Sequence, residues 1–281
     1  MTDNIAGMSP LHIPTLQRAT RSTGRFDRGH GILFDDAAVA YDRFRPEYPR
    51  AVIDEAVILS RLRPGARLLE VGCGTGKATV AFAARGYRMD CIDPGKNLIA
   101  VARQKCRRWP RVAFRSARFE DTELQPHWYD MILSAQALHW VEPAVRLRKA
   151  ASLLDRQGSL ALLYNYPGAP DDELLERLAK LIHRESGGLL SSWSYQDEVS
   201  RWVREIEGSG LFETVDVSRH RWCREYGAEE YVGLFRTYSD FLSLPRVLQD
   251  RVARCIHRVI SGSGRGVRRT YDCILIHARK S

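Results

Sequence analysis

An apolar segment that runs directly into three closely spaced glycines constrains this chain more than any other feature. Residues 67–71 predict a short buried strand, glycines follow at Gly72, Gly74 and Gly76, and residues 77–84 predict a helix. A strand, a glycine turn and a helix in this order bring the backbone close to a nucleotide-like ligand, because side chains in the turn would fill the space that the ligand needs.

Three kinds of ligand site use such a turn, and the spacing of the glycines separates them. A phosphate-binding P-loop requires Gly-x-x-x-x-Gly-Lys-Ser/Thr; Gly76 and Lys77 fit its end, but Val71 and Ala78 replace its first glycine and its magnesium-binding hydroxyl. The dinucleotide fingerprint requires Gly-x-Gly-x-x-Gly, whereas this loop has Gly-x-Gly-x-Gly. A sulfonium ligand carries no phosphate and needs neither lysine nor metal. The loop therefore favours S-adenosylmethionine (SAM).

An acidic residue stands where a ribose would need one. Residues 87–92 predict a second strand, and Asp93 lies at its end, about 20 residues beyond the loop. An ionised carboxylate only accepts hydrogen bonds, so it can bind both ribose hydroxyls at once. The alternative is that Asp93-Pro94-Gly95 forms only a turn and a helix cap.

Three segments together resemble the class I SAM-dependent methyltransferases: Glu70-Val-Gly-Cys-Gly-Thr-Gly76, Asp93-Pro94 and Ser134-Ala-Gln-Ala-Leu-His-Trp140. The small-molecule branch with trans-aconitate and ubiquinone-type methyltransferases is the most similar, and the segment Tyr41 to Pro49 resembles its N-terminal signature. The resemblance extends well over about residues 34–165. It implies an α/β fold with a doubly wound, mostly parallel seven-stranded sheet, and SAM as the cofactor. These motifs specify no acceptor.

The resemblance also implies which residues bind the cofactor. The loop after the third predicted strand should cover the adenine, with Phe119 offering an apolar face. Arg118 stands where relatives often have aspartate, and Glu120 is the candidate compensating acid. The expected cofactor-binding residues are Tyr41, Glu70, Gly72, Cys73, Gly74, Gly76, Asp93, Pro94, Arg118, Phe119, Glu120, Ser134, Ala135 and Gln136.

His139 is the candidate catalytic residue, because it follows the fourth predicted strand beside the methyl-bearing end of the cofactor. Histidine titrates near neutral pH, which suits proton abstraction from a hydroxyl acceptor. The alternative is that His139 and Trp140 only shape the pocket. The expected acceptor-binding residues are Arg45, His139, Trp140, Trp193, Tyr195 and Tyr238, although a core position is the ordinary role of an aromatic residue.

The order of predicted elements indicates one large domain over residues 34–281. Strands and helices alternate as far as residue 164, and two late strands fit the sixth and seventh positions of the sheet. Helical segments at about 170–207 and possibly 228–261 have no place in the minimal sheet, so we expect them to form a cap over the fourth and fifth strands. Residues 1–33 mix Pro, Gly, Ser, Thr and Arg without a period and predict a flexible leader.

Composition limits the kinds of partner that the protein is expected to bind, but it does not identify one. The chain has 281 residues and a formal net charge of +9, which suits nucleic acid, an acidic small substrate or merely a basic surface. Six cysteines lack metal or disulfide spacing, and no apolar run reaches transmembrane length. We therefore expect a cytoplasmic protein that binds no metal, contacts no membrane, and is a monomer or homodimer.

Two other functions remain open beside methylation of a small organic acceptor at oxygen, nitrogen or carbon. RNA methylation would suit the charge, but the chain lacks both Asn/Asp-Pro-Pro-aromatic after the fourth strand and a Pro-Cys nucleophile. No nucleic-acid partner is therefore expected. The other alternative is a SAM-binding protein without transferase activity, against which the intact loop and His139 argue.

Overall fold

A computed structural model describes residues 35–190 and 196–281. The predicted leader and two of the expected acceptor-binding residues, Trp193 and Tyr195, lie outside the described residues. No helix in these two ranges is long and apolar enough to cross a membrane.

A single seven-stranded sheet, in the order β3-β2-β1-β4-β5-β7-β6, organises the described chain. Its strands are β1 (Arg67–Val71), β2 (Arg88–Asp93), β3 (Val112–Ser116), β4 (Tyr129–Ala135), β5 (Leu154–Pro167), β6 (Phe212–Tyr226) and β7 (Val267–Lys280). Only β7 runs against its neighbours, β5 and β6. The predicted doubly wound, mostly parallel sheet is confirmed. Because the strand order reverses between β1 and β4, a ligand crevice is expected at their carboxyl ends.

Ten helices connect the strands in the described ranges. They are α1 (Ala38–Phe44), α2 (Arg50–Leu59), α3 (Lys77–Ala83), α4 (Lys96–Cys106), α5 (Pro143–Leu153), α6 (Glu173–Glu185), α7 (Gln196–Gly208), α8 (Ala228–Phe235), α9 (Ser239–Leu242) and α10 (Arg246–Gly262). A single 3₁₀ turn, Leu138–Trp140, follows β4.

Each face of the sheet carries its own core, as expected for strands buried on both sides. Alternate residues of β5 divide between them: Leu160 and Leu162 face α5 and α7, whereas Ala161 and Leu163 face α2, α3 and α4. The continuous apolar sequence of β5 follows from this double burial.

A third hydrophobic cluster lies outside the two sheet cores. It joins α6 to α8 and α10 through residues such as Leu178, Tyr231 and Ile256, and it includes Tyr226 of β6 and Tyr271 of β7. We call residues 173–185 and 228–262 the cap. The two pieces follow β5 and β6 respectively, so they come together only in the folded chain.

The region expected to form the first part of the cap divides in the structure. Helix α6 joins the cap, whereas α7 packs on the sheet because Trp202 and Ile206 belong to the same core as Tyr164 and Tyr166 of β5. The second expected segment also contains a break, since α8 ends at Phe235 and α9 begins at Ser239. The predicted fifth strand, 159–164, is longer in the structure because β5 pairs with β7 as far as Pro167.

Candidate active site

The glycine loop between β1 and α3 is held by the neighbouring strand. The amides of Gly72 and Cys73 both donate to the carbonyl of Ile92 in β2, at 2.8 and 3.1 Å. Gly72 has a φ of +73°, and a Cβ there would lie 2.1 Å from the Cβ of Ala137, which follows β4. Glycine is therefore required at position 72 by packing within the protein itself.

Gly74 differs from Gly72 because the space beside it is open. Its φ is +52°, yet a Cβ built there meets no atom of the described residues within 4 Å. The adjacent Thr75 hydroxyl is buried and has no hydrogen-bond partner among the described residues. An open cradle and an unsatisfied hydroxyl in one loop fit a site that receives a ligand.

Asp93 connects this loop to the start of α4. One carboxylate oxygen accepts from the Gly74 amide at 2.9 Å, and the other accepts from the Gly95 amide at 2.8 Å. Burial raises the pKa of Asp93, whereas these two amides act in the opposite direction. A carboxylate has about four acceptor positions, so two remain for a ribose diol. Asp93 thus forms the predicted turn and retains the capacity to bind the ribose.

Glu70 corrects an expectation, since its carboxyl does not reach the ligand side of the loop. Only 1% of the residue is exposed, and the hydroxyl of Thr79 in α3 donates to its Oε2 at 2.6 Å. Burial raises the pKa of Glu70 to about 8, although the Thr79 hydrogen bond lowers it. Glu70 therefore supports the loop and α3 from inside the protein.

The loop after β3 is also different from the expectation. Phe119 is 3% exposed and belongs to the core beneath α5, so its ring is not available to an adenine. Arg118 pairs with Glu120 at 3.1 Å, and Glu120 also accepts from the amide of Glu142. Glu120 is thus engaged within the protein. At the rim of this loop, the amide of Ala117 donates to the carbonyl of Asp93 at 3.0 Å.

The remaining expected cofactor contacts are mostly structural at the level of their side chains. Ser134 is buried and donates to the carbonyl of Val71, which joins β4 to β1. Cys73 is buried, and burial raises the pKa of its thiol well above the usual value. Ala135 and Pro94 lie at the carboxyl ends of β4 and β2, with Pro94 exposed. Gln136 has a φ of +55°, and its side-chain amide donates to the backbone carbonyl of Asn165 in β5.

His139 lies in the 3₁₀ turn after β4, beside an aromatic cluster. Its ring centroid is 4.8 Å from that of Trp140 and 6.1 Å from that of Tyr164. Its Nδ1 is buried without a hydrogen-bond partner among the described residues. Burial, together with the positive charges of Arg146 and Arg201, lowers the pKa of His139 to about 4. The imidazole is therefore neutral at physiological pH.

Arg45 and Tyr238, two expected acceptor-binding residues from distant parts of the chain, come together. The guanidinium carbon of Arg45 lies 4.4 Å from the centroid of the Tyr238 ring and 5.2 Å from that of Tyr41. Arg45 also donates from one terminal nitrogen to the carbonyl of Thr237 at 2.7 Å. The structure thus places Tyr41 beside Arg45, at the junction of the N-terminal segment with the cap.

The segment that carries Arg45 is attached to the loop as well as to the cap. Lys77, directly after the glycines, donates to the carbonyl of Asp42 and to Glu47, each at 2.8 Å. Lys105 of α4 pairs with Asp42 at 2.6 Å. Residues 38–49 therefore lie between the candidate cofactor loop and the cap.

Sequence reasoning missed Arg269 of β7. One terminal nitrogen donates to the hydroxyl of Tyr231, and the guanidinium carbon is 5.8 Å from that ring's centroid. An arginine at the start of a predicted strand gave no signal, because its contacts come from segments remote in sequence.

The fold and the loop together define the class I methyltransferase architecture. Residues 69–162 match the family model described as a methyltransferase domain. The chain therefore contains a class I SAM-dependent methyltransferase domain, in a family whose methyl donor is SAM.

Two curated relatives are similar over about half of this chain. A Mycobacterium tuberculosis (strain H37Rv) protein described as an uncharacterized methyltransferase is 34% identical over 162 residues, which cover 56% of this chain and 62% of the relative. The ubiquinone biosynthesis O-methyltransferase of Xanthomonas campestris pv. campestris (strain B100) is 36% identical over 156 residues, with 51% and 63% covered. The match thus spans less than two thirds of either relative.

A solved structure supports the same fold. A protein from Anaeromyxobacter dehalogenans, provisionally described as a type II methyltransferase, superposes with a TM-score of 0.62 at 23% identity. The superposition covers 84% of this chain and 98% of that protein. At this identity the likeness concerns the fold alone.

Proposed function

We propose that this protein transfers a methyl group from SAM to a small organic acceptor. The observation that carries the proposal is the open cradle at Gly74, whose amide bonds to Asp93 where the strand order reverses. Glycine backbone beside an acceptor-only carboxylate fits the amino-acid and ribose parts of SAM. We assign cofactor binding to Gly72, Gly74, Gly76 and Asp93.

When bound, SAM supplies an electrophilic methyl group on a sulfonium that is already a good leaving group. The acceptor's nucleophilic atom forms a bond to the methyl carbon while the carbon–sulfur bond breaks, which releases S-adenosylhomocysteine. The protein's main contribution is therefore to position the acceptor in line and to exclude water. His139, neutral at physiological pH, can accept a proton if the acceptor is a hydroxyl.

Two observations favour a small acceptor over a polymer. The cap adds four helices beyond the seven-stranded sheet, and the N-terminal segment lies against it through Phe44, whose ring would be 2.6 Å from a Cβ at Gly233. A relative of this domain is a ubiquinone biosynthesis O-methyltransferase. Helices that cover one end of the site suit a small ligand better than the open groove that a polymer would need.

Two measurements test this function. Calorimetry should show binding of one S-adenosylhomocysteine per chain, and release of S-adenosylhomocysteine from SAM should be stimulated by members of a panel of phenols, amines and carboxylic acids, with total RNA as the comparison. Stimulation by RNA alone would favour the alternative of RNA methylation. Tight binding with no stimulation by any acceptor would favour the binding protein, and no binding would refute both.

A further inference from the structure

Two arginines in the acceptor half of the site have donors that the protein leaves unused. The Nε atoms of Arg45 and Arg269 are both buried, and neither has a hydrogen-bond partner among the described residues. Each arginine uses a terminal nitrogen to hold the cap, through the Thr237 carbonyl and the Tyr231 hydroxyl respectively. Both side chains are thus oriented by the protein while an inner N–H remains unpaired.

The two guanidinium groups share one aromatic surrounding. Arg45 lies over the ring of Tyr238, whose centroid is 5.4 Å from that of Phe235. The Phe235 ring is in turn 5.3 Å from that of Tyr231, the hydrogen-bond partner of Arg269. The arginines therefore face a common region where the N-terminal segment, α8 and β7 meet.

No acid in the described chain neutralises these two charges. The buried Arg146 pairs with Glu205, whereas Arg45 and Arg269 form no ion pair with any described residue. Burial raises the pKa of both Tyr231 and Tyr271, so their hydroxyls stay neutral. Arginine does not lose its proton in proteins. A buried cation without a counter-ion is costly, and an anion that enters the region would remove that cost.

The region is connected to the methyl-transfer end of the site. The Gln136 side-chain amide donates to the Asn165 backbone carbonyl, and the Asn165 side chain accepts from Trp222 at 3.0 Å. The Trp222 ring stacks on that of Tyr271 with 5.2 Å between centroids. Residues 165, 222 and 271 thus lead from the loop after β4 to the neighbourhood of Arg269.

We propose that Arg45 and Arg269 bind an anionic group of the methyl acceptor, a carboxylate or a phosphate. Planar guanidinium groups match these oxyanions with charge-assisted hydrogen bonds, which is the chemistry that the unpaired Nε donors offer. The assignment rests on the proposed methyltransferase function and narrows it from small organic acceptors to negatively charged ones.

The test compares three ligands that share a phenyl ring, benzoate, phenyl phosphate and benzamide, on protein saturated with S-adenosylhomocysteine at constant ionic strength. Calorimetry should show that at least one of the two anions binds at least tenfold more tightly than benzamide. The tighter anion identifies the group as carboxylate or phosphate. Equal or weaker binding of both anions would overturn the proposal. This comparison uses the wild-type chain and does not depend on a variant that folds.

The variants Arg269→Gln and Arg45→Gln should each weaken binding of the preferred anion at least tenfold, with affinity for S-adenosylhomocysteine unchanged. Arg268→Gln is the matched control, because Arg268 is the exposed neighbour on the same strand and its guanidinium donates to the Cys223 sulfur, at 3.7 Å. Equal anion affinity in Arg269→Gln and Arg268→Gln would overturn the role of Arg269. If wild-type protein does not bind S-adenosylhomocysteine, the proposed function fails instead.

Discussion

The two halves of the carboxyl edge of the sheet are built in opposite ways. On the cofactor side, backbone amides are satisfied by the protein itself: Gly72 and Cys73 bond to Ile92, and Gly74 bonds to Asp93. On the acceptor side, Arg45 and Arg269 retain buried donors that no described residue satisfies. The backbone hydrogen bonds of the cofactor half are formed within the protein, whereas the acceptor half keeps buried donors for the anion that we propose.

This difference has a physical origin. A loop whose shape is set by glycines and one aspartate depends on a few adjacent residues, so a short motif specifies it. A surface of side chains from α1, β6, β7 and the cap depends on contacts between segments remote in sequence. We therefore expect proteins with this fold to share the cofactor-binding loop, whereas the choice of acceptor depends on inserted segments such as the cap.

The largest expected effect concerns the buried support of the cofactor half. The pKa of Glu70 is about 8 in the folded protein, against an ordinary value of 4.5. Between these values the folded state holds a proton that the unfolded state has released, so the free energy of unfolding should fall as pH rises from about 5 to 8. We expect a fall on the order of 3 kcal/mol, absent in Glu70→Gln.

Urea unfolding at pH 5, 6.5 and 8 measures this dependence. Glu213→Gln is the control, because Glu213 is exposed and its environment changes little on unfolding. A slope that is the same in wild type and Glu70→Gln would assign the pH dependence to other groups and leave Glu70 as an ordinary carboxylate.

The next largest effect tests whether Gly74 is needed because the open space beside it receives the cofactor, and not only because its φ is positive. Gly74→Val should reduce affinity for S-adenosylhomocysteine by at least about 100-fold, because the side chain would fill the cradle. Gly65→Val is a matched control: both glycines have positive φ and an open surrounding, but Gly65 precedes β1 and lies outside the loop. Both variants should lose about 1–3 kcal/mol of stability through backbone strain. Equal affinities in the two variants would contradict a cofactor at Gly74.

Asp93→Ala should weaken binding of S-adenosylhomocysteine by about 1.5–3 kcal/mol, the usual loss for hydrogen bonds to a charged group. Asp93→Asn retains one acceptor oxygen and should lose less. Calorimetry at a temperature where both variants are folded gives the comparison. If neither substitution changes the affinity, Asp93 acts only on the Gly74 and Gly95 amides.

The smallest expected effect is at His139. A general base works best with a pKa near the working pH, and the value of about 4 lies well below it. His139→Ala should therefore reduce turnover by only about tenfold, with affinity for S-adenosylhomocysteine intact. The reduction should be the same from pH 8 to 5, because His139 is neutral throughout that range. A loss that appears only above pH 6 would mean that His139 titrates with an ordinary pKa in the complex.

The sequence predicted those parts of the fold that local pattern determines. The strand, glycine loop, helix and Asp93 required only neighbouring residues, and the alternation of strands and helices predicted a parallel, doubly wound sheet. The division between α6 and α7 could not be predicted, because both helices have a strong apolar stripe. What separates them is the partner of that stripe, Ile256 of the cap for one and Tyr164 of the sheet for the other.

The sequence predicted which positions lie near the candidate site better than it predicted where their side chains point. Glu70 and Phe119 stand where cofactor contacts were expected, but burial turns both into the protein. The side chains of Arg45 and Tyr238, both predicted to bind the acceptor, are in contact with each other in the structure. Arg269 could not be selected, since Tyr231 of α8 reaches it only through the packing of the cap on β7.

Strands β6 and β7 continue past the end of β5 and into the cap. They remain paired from Phe212↔Lys280 to Tyr226↔Val267, and the last of these pairs is buried inside the cap. The same hydrogen-bonded strands therefore connect the sheet rigidly to the cap. A rotation of the cap as a rigid body would have to bend two long hydrogen-bonded strands. We therefore expect the cap to keep one orientation relative to the sheet.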